Sequence, residues 1–379
     1  MKKNRIIAVH LLNDFSGSPF VLRQSLEALL KKGYEVELLT ATPGDAGFLS
    51  DIEGVTTFPL FYKWSPNKWM TLLLFLYSQL YLFFKVLFKA HRSDIVYVNS
   101  LLPFGAAIGA KIKGAKVLYH IHEVSIKPAI LKKFLLAIAD FTASKGIFVS
   151  QDLQQRTRFK SNSAVVYNSL PASFIQEAMT AKKKSDSNFS ILMICSLKKY
   201  KGVDEFVEIA RRLPRFNFTL VLNASLPEID TYFMEMKVPA NLELIPSQKN
   251  VHPFYQQADV VMNLSRPDEW VETFGMTILE AMYYGKPVIV PPVGGVIELV
   301  TPGREGYRIS GSQVNEIAEK LQLMATSPTY YRQLSVNAQM KARQFSPAVF
   351  SESIVFQIEE LRPVSAKHSY SKAVQLGLF

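Results

Sequence analysis

The sequence predicts an α/β chain folded as two Rossmann-like domains. Three observations lead there. Between Arg5 and Thr40 the chain runs strand, glycine-containing loop, helix, strand, a Rossmann-like opening. The same alternation restarts at Phe189, after the polar stretch AKKKSDSN. And 379 residues exceed what one ordinary core encloses.

Composition narrows the class. With 48% hydrophobic and 20% charged residues the chain can bury a core. One cysteine, Cys195, leaves no internal disulfide and fits a reducing compartment. No Cys/His cluster has zinc spacing. The opening MKKNRIIAVHLLNDF has a short apolar run and no small-residue cleavage site, so it reads as a first strand and the expected location is cytoplasmic. The net charge is +11 and the isoelectric point about 9.4. Such a balance favours anionic partners. No nucleic-acid motif accompanies it, so the charge is assigned to a membrane surface and a pyrophosphate, with no nucleic acid as partner.

The elements follow in order. Arg5 to Leu12 reads as a strand, and residues 13–19 as a loop centred on Gly17. Residues 20–32 carry Leu22, Leu26, Leu29 and Leu30 at helical spacing, with Gly33 as the cap. Glu35 to Thr40 is the second strand. From Trp69 to Phe88 runs the most apolar segment, WMTLLLFLYSQLYLFFKVLF. Three readings compete for it. Its length is borderline for a membrane span, and Thr71, Ser78, Gln79 and Lys85 interrupt it. It leads straight into a strand, DIVYVN, as a buried crossover helix does. Trp64 and Trp69, with Lys63, Lys68, Lys85, Lys89 and Arg92, fit a helix lying in an anionic membrane interface. The last two readings coexist if one face packs and the other meets lipid.

Residues 101–114 read as a helix, and residues 116–122 as a strand that ends in His120, His122 and Glu123. Ligands of open α/β sheets bind at the carboxyl ends of strands. Strand alternation puts both histidines on one face. A structural role is the ordinary one for His120, while Glu123 is placed to hold the His122 imidazole in one tautomer. Strands over 146–150 and 164–167, with a helix from Asp152 between them, close a first domain of residues 1–169. Residues 170–188 read as the linker. The second domain, 189–345, opens with a strand to Cys195, the turn SLKKYKG and a helix through Leu213. Strands follow over 218–222, 242–245 and 260–264, with a short helix over 254–258. Helices over 313–325, 328–344 and 348–361 finish the chain, before a tail of mixed composition; residues 346–379 form the C-terminal helix and tail.

The densest signal lies in PDEWVETFGMTILEAMYYGKPVIVPPVGG, residues 267–295. Glu272 sits in a loop. Phe274, Gly275, Met276 and Thr277 turn into a helix, with Glu280 about one turn inside. The first N–H groups of a helix lack intrahelical acceptors and attract anions, and a glycine there lets a ligand approach the backbone. Gly285 and Pro287 stop the helix. Val288 to Val290 is an uncharged strand, and Gly294–Gly295 opens a second tight turn beside the first.

The Glu pair at this spacing, with F-G before the second Glu, G-K-P-V after it and G-G later, resembles the signature of retaining GT-B glycosyltransferases of family 4, the glycosyl transferases group 1. The resemblance implies the GT-B architecture: two Rossmann-like domains facing a central cleft, with a C-terminal helix crossing back to the first. It implies a nucleotide diphosphate-sugar donor on the second domain, a saccharide or lipid-linked acceptor on the first, and no metal or other cofactor. Donor contacts carry over to Gly17, Ser196, Lys201, Phe274, Gly275, Met276, Thr277 and Glu280, the last on the ribose. His122 and Glu272 carry over as catalytic residues. Ser196 departs from the family, which has an Arg there; Lys198 and Lys199 are candidates for the missing charge, although a Lys does not reproduce a bidentate guanidinium. Sugar transfer with retention, in cell-surface polysaccharide or glycolipid synthesis, is the expected reaction.

Other classes remain in view. An epimerase-like enzyme acting on nucleotide sugars would use acid/base carboxylates and a different C-terminal motif. A nicotinamide-dependent oxidoreductase needs G-x-G-x-x-G after the first strand, which NDFSGSPF lacks. A non-catalytic membrane-bound relative is kept alive by Ser196.

Overall fold

The computed structural model describes residues 5–42, 46–63, 65–123, 125–181 and 188–362. Trp64 and the tail beyond 362 lie outside the described residues.

The first sheet has seven parallel strands: β1 (Arg5–Leu12), β2 (Glu35–Ala41), β3 (Val55–Pro59), β4 (Ile95–Asn99), β5 (Lys116–Ile121), β6 (Lys145–Phe148) and β7 (Ser163–Val165), in the order β3-β2-β1-β4-β5-β6-β7. Its helices are α1 (Gly17–Lys31), α2 (Lys68–Lys89), α3 (Phe104–Lys113), α4 (Ala129–Thr142) and α5 (Gln151–Thr157). Helix α6 (Ala172–Thr180) falls inside the stretch read as a linker, and its Phe174 ring packs against His252, Tyr255 and Tyr284 of the second domain. The second sheet has six parallel strands: β8 (Ser190–Ser196), β9 (Asn217–Asn223), β10 (Leu242–Ile245), β11 (Val260–Met262), β12 (Val288–Val290) and β13 (Gly306–Arg308), in the order β10-β9-β8-β11-β12-β13. Its helices are α7 (Val203–Arg212), α8 (Leu226–Phe233), α9 (His252–Gln257), α10 (Met276–Tyr283), α11 (Val314–Thr326) and α12 (Pro328–Ala342). Helix α13 (Pro347–Glu359) ends the described chain.

Both sheets are doubly wound. Their central strands are largely apolar because both faces are covered: Ile6, Ile7, Ala8 and Val9 of β1 are fully buried. In each sheet the strand order reverses beside the first strand, at β1/β4 and at β8/β11. Loops diverge there and leave a crevice at the carboxyl ends.

Two differences from the sequence reading have a clear physical cause, the start of α1 and the edge strand β3. Helix α1 begins at Gly17, three residues before Phe20, so Gly17 is the first helical residue and not the centre of a loop. Pro19 had marked the boundary, but proline is tolerated in a first turn, where its missing N–H has no intrahelical partner. Strand β3 and helices α4 and α8 were not anticipated. Strand β3 is a sheet edge with Thr56 and Thr57 exposed, so it carries no apolar run.

The apolar segment from Trp69 to Phe88 is α2, the crossover from β3 to β4. It is long and apolar enough to cross a membrane by length and composition, but one face packs on protein. Phe75, Ser78, Gln79, Leu82 and Val86 are buried. A Cβ on Gly105 of α3 would lie 2.0 Å from the Gln79 carbonyl oxygen, and one on Gly109 would lie 2.5 Å from that of Phe83, so α3 presses directly on the α2 backbone. Gln79 Oε1 accepts from the Gly105 N–H at 3.1 Å, which accounts for an amide in an apolar helix. The other face exposes Trp69, Leu73, Leu76, Tyr77, Leu80, Phe84 and Phe88.

Helix α13 returns to the first domain. Phe350, Ile354 and Ile358 join the core formed with Leu22, Leu26 and Leu29 of α1, and Lys145 pairs with Glu360 beyond the helix end. Truncating this contact is expected to be costly. Ile354→Ala should lower the unfolding free energy of the domain it docks on by about 2–5 kcal/mol, read from urea denaturation.

Candidate active site

The two crevices face each other across a cavity of about 500 Å³. Ser16, Gly17, Ser18, His122, Glu123 and Asn168 line it from the first domain. Cys195, Ser196, Lys201, Asn263, Ser265, Trp270 and the run from Glu272 to Thr277 line it from the second.

The second-domain wall is built on an ion pair. Lys201 Nζ lies 2.9 Å from Glu272 Oε2, and Asn263 Nδ2 donates to the same oxygen at 3.3 Å. The ammonium also lies 5.1 Å from the centre of the Trp270 ring, which stacks on Tyr200. Lys201 is the one Lys or Arg among the described residues lining the cavity. Lys198 and Lys199 do not line it, and Lys199 faces Asp204 instead. Ser196 lines the wall without replacing the charge. Burial pushes the neighbouring Cys195 thiol up to about 12, so it is no nucleophile at neutral pH.

Two helices aim their N-termini at the cavity. Helix α1 starts at Gly17, and its N-cap Ser16 makes no side-chain cap, because the hydroxyl donates to Asp14 Oδ1. Helix α10 starts at Met276 behind Gly275, again with no side-chain cap. Uncapped first-turn N–H groups and the helix dipole favour an anion at both places. Gly275 serves a different purpose from the one expected. Its φ is +94°, and a Cβ there would lie 2.7 Å from Val296 Cγ2, so backbone conformation and packing already require glycine at this point of the wall.

Gly294–Gly295 is likewise not a second anion turn. The Gly295 N–H donates to the Glu272 carbonyl at 2.8 Å, and a Cβ on Gly295 would lie 1.9 Å from the Thr273 oxygen. The pair clamps the loop that carries Glu272. The 3-10 turn that follows carries Glu298 to the first domain. Its carboxylate accepts from the Gln151 and Asp152 N–H groups at the start of α5, and from the Tyr167 hydroxyl at 2.8 Å. Phe274 turns its ring away from solvent, against Tyr167 and Phe345.

On the first-domain wall, His122 Nε2 lies 2.8 Å from Asn99 Oδ1. Glu123, expected to hold the imidazole, accepts instead from the His122 backbone N–H at 3.3 Å. Burial raises its carboxyl above the usual range. His120 has the structural role: it is buried, its Nδ1 meets the Tyr97 hydroxyl at 2.7 Å, and burial lowers its pKa to about 3.

Glu280 does not reach the cavity wall. It lies further along α10, where the Tyr255 hydroxyl donates to it and burial raises its pKa to about 7. Asn263, Ser265, Trp270, Asn168 and Asn99 were missed. Asn168 Oδ1 and Ser265 Oγ are buried without a hydrogen-bond partner among the described residues, as a wall awaiting a polar ligand would have them.

Comparison with known proteins agrees with this geometry. A sequence model described as glycosyl transferases group 1 matches residues 174–341, and one described as glycosyltransferase family 4 matches residues 15–173. An uncharacterized glycosyltransferase of Methanocaldococcus jannaschii is 24% identical over 69% of this chain and 74% of its own length. The N-acetyl-alpha-D-glucosaminyl L-malate synthase of Bacillus anthracis is 24% identical over 71% of this chain and 74% of its own. The fold matches that of Anabaena HepE, crystallised with UDP and glucose, with a TM-score of 0.73 and 20% identity over 93% of this chain and 99% of HepE. The chain belongs to the GT-B glycosyltransferases of group 1.

The Glu280 environment has a measurable consequence. An acid held at about 7 in the fold, against an ordinary 4.5, keeps its proton better folded than unfolded. The stability this supplies is full below about pH 4.5 and is lost as pH rises through about 7. Glu280→Gln, which mimics the neutral form, should melt with the wild type at pH 4 and above it at pH 8, the gap opening between those values in a thermal-melt series.

Proposed function

We propose that this glycosyltransferase moves a hexose-type sugar from a nucleoside diphosphate to an acceptor hydroxyl with retention, in cell-surface polysaccharide or glycolipid synthesis. The observation that carries the reading is the convergence of Lys201 and two uncapped helix N-termini on one cavity that also exposes Glu272 and His122. Breaking the bond from sugar to phosphate leaves negative charge on the diphosphate and positive charge on the anomeric carbon. Lys201 and the amides of α1 and α10 meet the first charge with dipoles already in place. Glu272 has one oxygen engaged by Lys201 and Asn263; the other serves a sugar hydroxyl and faces the developing cation. Retention follows if the leaving phosphate takes the acceptor's proton on the same face, which needs no catalytic carboxylate pair and invokes no metal. HepE, which holds UDP and glucose, supports a uridine donor.

A membrane surface is the proposed working place, on the cytoplasmic side. The exposed face of α2 carries Trp69 and Phe88, 76% and 78% exposed, and Ile130, Phe134 and Phe141 of the neighbouring α4 extend the apolar surface. Lys63 and Arg92 flank α2 in the sequence, Lys68 and Lys85 lie on it, and the whole chain carries +11. Apolar side chains among cations suit an anionic leaflet.

Two measurements test the reading. Glu272→Ala should fold normally and lose about 10²–10³ of kcat in transfer from a UDP-sugar; undiminished turnover would remove Glu272 from the mechanism. The wild type should co-sediment with phosphatidylglycerol vesicles, and a Leu73→Glu, Leu80→Glu double variant should bind at least about tenfold less tightly. Failure of the wild type to bind would end the membrane proposal.

A further inference from the structure

The orientation of one buried amide decides which nitrogen of His122 carries a proton. Asn99 ends β4 and is fully buried. Its Oδ1 lies 2.8 Å from His122 Nε2, and its Nδ2 lies 3.2 Å from the Ser18 carbonyl oxygen and 3.1 Å from His10 Nδ1. Amide oxygen and nitrogen are told apart by their partners. A backbone carbonyl only accepts. Were the amide turned over, Oδ1 would face the Ser18 oxygen with no proton between them. Ser18 therefore holds Nδ2 on its side and Oδ1 on the side of His122. Oδ1 also only accepts, so the proton must sit on His122 Nε2. The His10 contact is compatible, since its Nδ1 either accepts from Nδ2 or donates to the Asn99 carbonyl at 3.2 Å.

The backbone supports the same arrangement. Ser100 has a φ of +80°, which is unusual for a residue other than glycine and persists where surroundings over-determine it. Its N–H donates to the His120 carbonyl at 2.7 Å and ties the end of β4 to β5. Asn99 and His122 are thus set by the sheet and not by a loop.

We propose that Asn99 is a positioning residue that pins His122 in the Nε2–H tautomer, so that the ring offers Nδ1 as an acceptor to a hydroxyl of the donor sugar. His122 Nδ1 makes no hydrogen bond among the described residues, and the side chain lines the cavity opposite Lys201 and Glu272. The titratable groups around the ring are His10 from β1, His120 from β5 and Glu123 beside it. Burial, with His120 and His10 nearby, keeps His122 well below its ordinary pKa, so the acceptor persists through neutral pH. The proposal rests on the sugar-transfer reading for the identity of the hydroxyl, and not for the tautomer.

The test reads both. The full chain, labelled with ¹⁵N-histidine, should show His122 with a protonated Nε2 and a bare Nδ1 from pH 6 to 8, the resonance assigned by its loss in His122→Gln. In Asn99→Asp a carboxylate replaces the amide oxygen and stabilises the imidazolium. Relative to wild type, transfer by that variant should weaken severalfold as pH falls from 8 to 6, because the carboxylate raises the ring's pKa and a protonated ring has no acceptor at Nδ1. UDP affinity should be unchanged. A wild-type His122 that is Nδ1-protonated or cationic would overturn the proposal, and so would an Asn99→Asp pH profile parallel to wild type. If that variant does not fold, the wild-type spectrum decides alone. A wild type without any transfer activity would defeat the function reading and leave the tautomer result standing.

Discussion

The site depends on one close approach of backbone to backbone. Gly294 and Gly295 lie against the loop of Glu272 and Thr273, nearer than any side chain would permit. That contact holds the Glu272 carboxylate against Lys201. The turn it begins also carries Glu298 to the start of α5. The Glu272 loop and the interdomain contact are therefore consecutive parts of one segment, held together by the Gly294–Gly295 turn. Phe274, wedged between Tyr167 and Phe345, adds an apolar component at the same junction.

The two walls of the cavity differ in kind. The second domain contributes charge, through Lys201 and Glu272. The first contributes the Glu123 carboxyl beside neutral polar groups: His122, held neutral by burial beside two other imidazoles, and the hydroxyls of Ser16 and Ser18. Helix dipoles complete the division, since α1 and α10 approach from opposite domains. The same first domain spreads the apolar face of α2 over its outside, while α3 grips the inner face through Gly105 and Gly109.

Much of this was legible in the residues, for physical reasons. The strands β1, β10 and β12 matched their ranges because each is a short segment dominated by aliphatic residues, with turn-forming or polar residues next to it, as in the prolines on both sides of Val288–Val290. Lys201 and Glu272 were carried over separately, one from the turn SLKKYKG and one from the 267–295 motif, and their ion pair became visible only in the fold. The start of α1 was misplaced by Pro19, whose meaning depends on whether it lies before the helix or in its first turn. Gly275 and Gly294–Gly295 were assigned to ligand approach, when their neighbours are Val296, Thr273 and Glu272; a sequence shows that a glycine is needed, not what presses on it. Asn99 was invisible, because its role arises only when β4 and β5 lie side by side. Glu280 lies one turn further along α10 than the lining residues, where Tyr255 meets it, a partner the spacing along the helix does not reveal.

The most direct measurement is calorimetric titration of UDP into wild type and Lys201→Ala. The account requires wild-type binding and a loss of at least about tenfold in the variant, as removal of a charge-assisted contact should cause. Equal affinity in the two proteins would contradict it, because the diphosphate would then lie somewhere other than the cavity between Lys201 and the N-termini of α1 and α10.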